Sequence, residues 1–177
     1  MATVIRDAAT CVHQTQDRPA GGDPAVERVR QHLARYGLAD RIILLPKDTS
    51  TAPKAAAALG VTVGEIAKTL CFVGNGGAVI VVAAGDAHVS QSKLKSAMGW
   101  TGKLRLATPE ETQQLTSFQI GGVCPFGLPQ PLPVLLDTSL LSYRVIYPAA
   151  GSSNSAVRLT PEELARATGG RWCDLTS

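Results

Sequence analysis

Residues 65–86 read "EIAKTLCFVGNGGAVIVVAAGD", and the order of residue types in this stretch decides the fold. Two apolar segments, "TLCFVG" and "AVIVVAAG", flank "NGG", the turn chemistry of a β-hairpin. The second segment is apolar on both faces, as a strand at the centre of a sheet must be. Between Glu65 and Asp86 the ionisable groups are Lys68 and Cys71, with no acid inside the run to pair with the lysine. The hairpin therefore sets one ammonium at the opening of a strand beside the sheet's centre, where it either lowers its pKa or finds an anion. A plainer use also exists: the lysine stem lies on apolar surface and the amine reaches water.

Working outward, "STAPKAAAALGVTVGEIAK" reads as a helix, a break at Gly60 and a short second helix opened by a Thr62–Glu65 capping box. Upstream, Asp23 caps a helix with Pro24 in its first turn, and Val26, Val29, Leu33 and Tyr36 recur at helical spacing until Gly37. "RIILLP" is a short strand. Downstream, Ser90 caps "QSKLKSAMG", "KLRLA" is a strand, and "TPEETQQL" opens a helix with Thr108 as cap. The remaining strands are "VLLD", "RVIYPAAG" and "AVRLT"; "TPEEL" starts the last helix and "RWCDL" closes the chain. Strands in runs with short turns, broken by separate helices, give an α+β domain with a mixed or mostly antiparallel sheet. Residues 1–22, ending in "RPAGG", lack periodicity and read as a flexible arm, leaving 23–177 as one domain.

Composition bounds the function. A chain of 177 residues, 45% hydrophobic and 18% charged, builds one domain with a real core. The longest apolar run, "GGAVIVVAAG", is half of the roughly 20 residues a membrane span needs, and the first residues hold no apolar signal core. The expectation is a soluble, cytoplasmic protein without a membrane partner. Cys11, Cys71, Cys124 and Cys173 are widely spaced, which signals neither a disulfide framework nor a metal site, and no cofactor motif is present. A formal charge of +3 leans only weakly toward an anionic partner. No phosphate-binding G-x-x-x-x-G-K-[ST] occurs, and "GNGGAV" sits in a hairpin rather than at a strand-to-helix junction. His13, His32 and His88 lie in no arrangement with a serine and an acid.

Two loops remain as carriers of chemistry. In "GGVCPFG", residues 121–127, Gly121 and Gly122 permit unusual backbone conformations and Pro125 fixes φ, so amide groups can be held outward to cradle an oxyanion. The same composition also makes a tight structural connection. Cys124 has no base nearby in sequence and reads as an inert thiol. "AAGSSNSAVRL", residues 149–159, offers hydroxyl and amide donors at a turn, or is simply a hairpin turn.

Taken in order, "EIAKTLCF", "VIVVAAGD" with "KLK", "GGVCPFG", "LPVLLD" and "AAGSSNSAVRLTPEELARATG" resemble the superfamily of YbaK-like proteins and the prolyl-tRNA synthetase editing domain, from about residue 24 to 175. The resemblance implies a mixed, mostly antiparallel, barrel-like sheet flanked by helices, and a free-standing deacylase acting in trans on tRNA mischarged with a small amino acid (Ser, Thr, Ala or Cys). Its pocket receives the aminoacylated 3′ end, and an aminoacyl-tRNA synthetase is a further implied partner. By the same resemblance Lys68, Gly121, Gly122 and Pro125 carry catalysis, and Thr69, Cys124, Phe126, Gly127, Gly151, Ser152 and Ser153 contact substrate. After "GD" this chain has "AHVSQSK" where many relatives carry an acid, so neither His88 nor Ser90 is given a role. An activated ester needs only positioned water and preorganised N–H donors, which fits the absence of a triad. The rival reading is a non-catalytic module on the same fold that grips tRNA ends or a protein.

Overall fold

The computed structural model describes residues 22–177, so the arm expected over 1–22 lies, except for Gly22, outside the described residues. The Asp23 carboxylate accepts from the Ala25 amide at 2.9 Å and opens α1 (Pro24–Ala34), whose Val26, Val29 and Leu33 form its buried stripe. A 3-10 turn leads into β1 (Ile42–Leu44). Thr51 caps α2 (Ala52–Leu59), which ends at Gly60 in the left-handed conformation, φ 69°. The Glu65 carboxylate accepts from the Thr62 amide at 2.7 Å and turns the chain into β2 (Ile66–Gly74).

The hairpin read from the sequence is present: β2 and β3 (Gly77–Ala84) run antiparallel in register from Ala67↔Ala84 to Gly74↔Gly77. There follow α3 (Gln91–Met98), β4 (Leu104–Leu106), α4 (Pro109–Thr116), β5 (Val134–Asp137), β6 (Tyr147–Pro148), β7 (Ser155–Val157), α5 (Pro161–Thr168) and β8 (Arg171–Cys173). The main sheet has the order β4-β2-β3-β5-β8, with β6 also on β2; β1 and β7 pair separately. The sheet is mixed, as expected: β2–β3 and β2–β4 are antiparallel, while β6, β5 and β8 join in parallel. It ends in open edges at β4 and β8 instead of closing into a barrel. The strand expected over "RVIYPAAG" shrinks to Tyr147–Pro148, flanked by single bridges Ile146↔Leu159 and Ala149↔Ala156. Pro148 has no N–H to extend a ladder.

β3 is the central strand. Ile80, Val82 and Ala84 face a core shared with Val29 and Leu33 of α1, Leu164 of α5, Phe126 and Leu136. Val79 and Val81 face the opposite layer with Phe72, Leu94 of α3, Leu104 and Leu175. Each fully buried aliphatic side chain of this kind stabilises the fold by about 1.5–3 kcal/mol. Ile66 packs separately on Ala55 and Ala56 of α2, which fixes that helix over the start of β2.

One detail of the sheet positions the site. The β2 edge away from β3 is shared between two short strands: β6 covers Ile66 and Ala67, and β4 covers Phe72, Val73 and Gly74. The Cys71 carbonyl accepts from the Ala107 amide at 2.8 Å. Residues 68–70 are left without a strand partner on that edge, midway along the sheet.

Candidate active site

A cleft of about 230 Å³ opens at this uncovered segment. Lys68, Thr69 and Leu70 form one side; Thr49–Ala52 at the start of α2, Ile120, Gly121 and Val123, and Tyr147, Ala149, Ser155 and Ala156 form the others. The three loops are tied together. The Thr49 amide and hydroxyl donate to the Ser153 carbonyl at 2.5 and 3.0 Å, and the Leu45 amide donates to Asn154 at 2.7 Å. Gly121 has φ +95°, and a Cβ there would lie 2.9 Å from the Ser50 Cβ, so only glycine lets this loop approach the α2 loop so closely.

The Lys68 ammonium, free for a ligand in the sequence reading, already has protein partners. It donates to the carbonyls of Ala87 and, at 3.4 Å, of Gly85, in the turn that follows β3. Burial holds its pKa below the ordinary lysine range, and the Asp86 carboxylate pulls the other way. An ammonium has three N–H groups. Two go to the carbonyls, which leaves one without a partner among the described residues, and the residue lines the cleft. Beside it, the Thr69 hydroxyl oxygen is buried with no hydrogen-bond partner among the described residues. Such an orphan costs stability unless something else satisfies it.

The loop "GGVCPFG" divides. The amides of Gly121 and Val123, both lining the cleft, have no hydrogen-bond partner among the described residues. The Gly122 amide, by contrast, donates to the Gln119 carbonyl at 3.0 Å, so the expectation that it faces a scissile carbonyl is corrected. Gly122 instead packs on backbone: a Cβ there would lie 2.7 Å from the Gly151 carbonyl group and the Ser152 amide nitrogen. Gly122, Gly151, Ser152 and Ser153 line a second, polar cleft of about 440 Å³ across the 120–122 segment. Cys124 and Phe126 are fully buried in the core, Pro125 is buried beneath a separate depression with His32 and Leu128, and Gly127 abuts Arg28. None of these four lines the first cleft. Burial pushes the Cys124 thiol up to about 12, so at neutral pH it holds its proton and is a poor nucleophile.

Of the residues expected from the sequence, the structure thus brings Lys68, Thr69 and Gly121 together, and adds Thr49, Ser50, Thr51, Val123, Tyr147 and Ser155. In the sequence, "STAPKAAAALG" is legible only as a helix, which Thr51 caps; that residues 49–52 also line the cleft has no sequence signal. Among the described residues, no helix is long and apolar enough to cross a membrane.

Residues 46–167, which include every loop of this cleft, match the family model of the aminoacyl-tRNA editing domain. The chain belongs to the aminoacyl-tRNA editing family. This editing domain is 38% identical over 153 residues to the uncharacterised protein YwhH of Bacillus subtilis, covering 85% of this chain and 96% of that one. It is 29% identical, over 86% of its length and 92% of the relative's, to an Enterococcus faecalis protein provisionally named Cys-tRNA(Pro)/Cys-tRNA(Cys) deacylase EbsC. Among solved structures it is similar to a protein provisionally described as a trans-editing enzyme for prolyl tRNA synthetase, with 40% identity, a TM-score of 0.81 and coverage of 89% of this chain and 99% of that chain. The editing family therefore accounts for the α+β fold, and the cleft at the β2 edge is its candidate site.

Proposed function

We propose that this editing domain is a trans-acting deacylase that hydrolyses the ester of tRNA mischarged with a small amino acid. The observation that carries the reading is that Lys68 and the unpartnered amides of Gly121 and Val123 belong to the lining of one small cleft. Water adds to the ester carbonyl; the oxyanion that forms is met by those amides and by the remaining Lys68 N–H. The intermediate then expels the 3′-oxygen of the terminal adenosine, which takes up one proton from the attacking water to become the hydroxyl, and the amino acid leaves as a carboxylate with the other proton passing to solvent. Preorganised donors of this kind are worth more in a half-dry cleft than in water, because they need not reorient as charge develops.

Size supports a small acyl group. At about 230 Å³ the cleft falls below the roughly 300–1,000 Å³ of sites that enclose a drug-sized ligand. Cys, Ala, Ser and Thr head the substrates on that ground, and the names of the Enterococcus faecalis relative and the trans-editing enzyme support testing cysteine and the prolyl system first. The partner is the aminoacylated 3′ end, and an association with a synthetase is part of the same proposal. A deacylation screen over tRNAs charged with each of these amino acids tests it. Hydrolysis of at least one, well above the uncatalysed rate, is expected; hydrolysis of none would favour the binding module instead.

A further inference from the structure

The second cleft lies one peptide segment away from the first, across residues 120–122, and nothing in the deacylase mechanism uses it. It is larger, about 440 Å³ against about 230 Å³, and polar in character. Exposed Gln113 and Gln119 line it together with Ser152 and Asn154, and its cation is Arg28. That guanidinium is held in place: it donates to the Thr116 and Ser117 carbonyls at 3.2 and 3.1 Å and sits 4.3 Å over the Phe118 ring. Among the described residues no carboxylate forms an ion pair with Arg28, and the Asp23 carboxylate shares the lining of the cleft. Asp23, the carboxylate of the lining, is engaged as the α1 cap.

Neutral amides and hydroxyls that both donate and accept suit the edge of a base and a ribose, and a fixed guanidinium suits a phosphodiester. Between the two clefts stands Ile120, a member of both linings and 59% exposed. An apolar side chain in water on such a ridge is a surface that the face of a base covers. A cleft too small for more than the acyl end and part of its nucleoside also requires the preceding strand to leave across its rim.

We propose that the second cleft receives the penultimate nucleotide of the acceptor strand, with its phosphodiester toward Arg28 and Ile120 packed between the last two nucleosides. This rests on the deacylase reading and adds a subsite to it. The function of the subsite is to set the register of the strand, so that the terminal ester reaches the amides of Gly121 and Val123 and cannot slide past them.

The test compares two minimal esters of the amino acid that the screen identifies: 3′-aminoacyl-adenosine, and the same ester on cytidylyl-(3′→5′)-adenosine. Wild-type protein is expected to gain about tenfold or more in kcat/KM from the added nucleotide, the scale of one hydrogen bond to a charged group. The double substitution Gln113→Glu/Gln119→Glu sets two carboxylates in the second cleft alone, at exposed positions that keep the fold, as thermal melting will check. It should remove most of that gain and leave hydrolysis of the adenosine ester within about twofold. A wild-type protein that gains nothing from the nucleotide, or a variant that keeps the whole gain, overturns the subsite while the deacylase reading stands. A protein that hydrolyses neither ester nor any mischarged tRNA overturns the deacylase reading, and the subsite with it.

Discussion

Replacing Lys68 by methionine keeps the apolar stem and deletes the ammonium, and the structure gives it two separable effects. The first is on stability. Two bonds to the Gly85 and Ala87 carbonyls are lost. A hydrogen bond to a charged group contributes about 1.5–3 kcal/mol when buried. Both acceptors lie in a half-buried turn, where water replaces part of what is lost, so the sum is about 1–3 kcal/mol. For a chain of this length that lowers Tm by about 2–4 °C per kcal/mol. The second effect is on chemistry: loss of one aligned donor to the oxyanion lowers single-turnover deacylation about a hundred- to a thousandfold. Lys68→Arg should rescue neither fully, since a planar guanidinium cannot place one donor in the cleft and two on adjacent carbonyls. The assays are thermal melting and single-turnover hydrolysis of a mischarged tRNA. A lowered Tm with unchanged turnover would show that Lys68 only pins the turn after β3. An unchanged Tm would show that the carbonyl contacts contribute nothing.

Further outcomes separate the two glycines, the thiol and the acid dependence. Gly121→Ala forces an L-residue to φ +95° against Ser50 and should cut turnover of bound substrate about a hundredfold or more while weakening binding of a nonhydrolysable mimic much less; equal losses would mean that the loop only shapes the cleft. Gly122→Ala meets the Gly151–Ser152 backbone at 2.7 Å, so it should show first as a lowered Tm, and a normal melt would contradict that packing. Cys124→Ala should keep turnover within about fivefold, since its thiol, raised to about 12, stays protonated; a loss beyond about a hundredfold would make it a nucleophile. The Arg105 guanidinium and the Thr108 amide hold the Glu111 carboxyl down at about 2, from an ordinary 4.5. A carboxyl lowered in the folded state contributes stability that is complete above about pH 4.5 and is lost as pH falls toward 2. Glu111→Gln should therefore flatten the fall of Tm across that window, and an unchanged slope would contradict the pairing.

The parts of the fold legible in the sequence are those decided by local chemistry. Alternation and the turn residues gave the 66–84 hairpin, and Asp23, Ser90, Thr108 and Thr160 cap helices where their spacing says they should. The unread parts depend on contacts between distant segments. β6 lies inside a segment legible as a longer strand, and its shortening to Tyr147–Pro148, together with β4, determines where the β2 edge is left bare. Lys68 stood out as a cation with no acid in its run, but only the folded turn at 85–87 shows what it binds. In the loop at 121–127 the composition announced a tight, backbone-rich connection. It could not say that Gly121 turns to the cleft, Gly122 to the far side and Cys124 and Phe126 to the core, because the three destinations are set by α2, the 151–155 turn and α1.

The central claim is that the bare edge of β2 is where the ester sits, and a crystal structure with a nonhydrolysable amide analogue of 3′-aminoacyl-adenosine tests it most directly. The predicted complex has the acyl carbonyl oxygen within about 2.7–3.1 Å of the Gly121 or Val123 amide nitrogen, with the Lys68 ammonium still on the Ala87 carbonyl. An acyl group bound in the second cleft, or one in the first cleft with its carbonyl turned away from both amides, would contradict it.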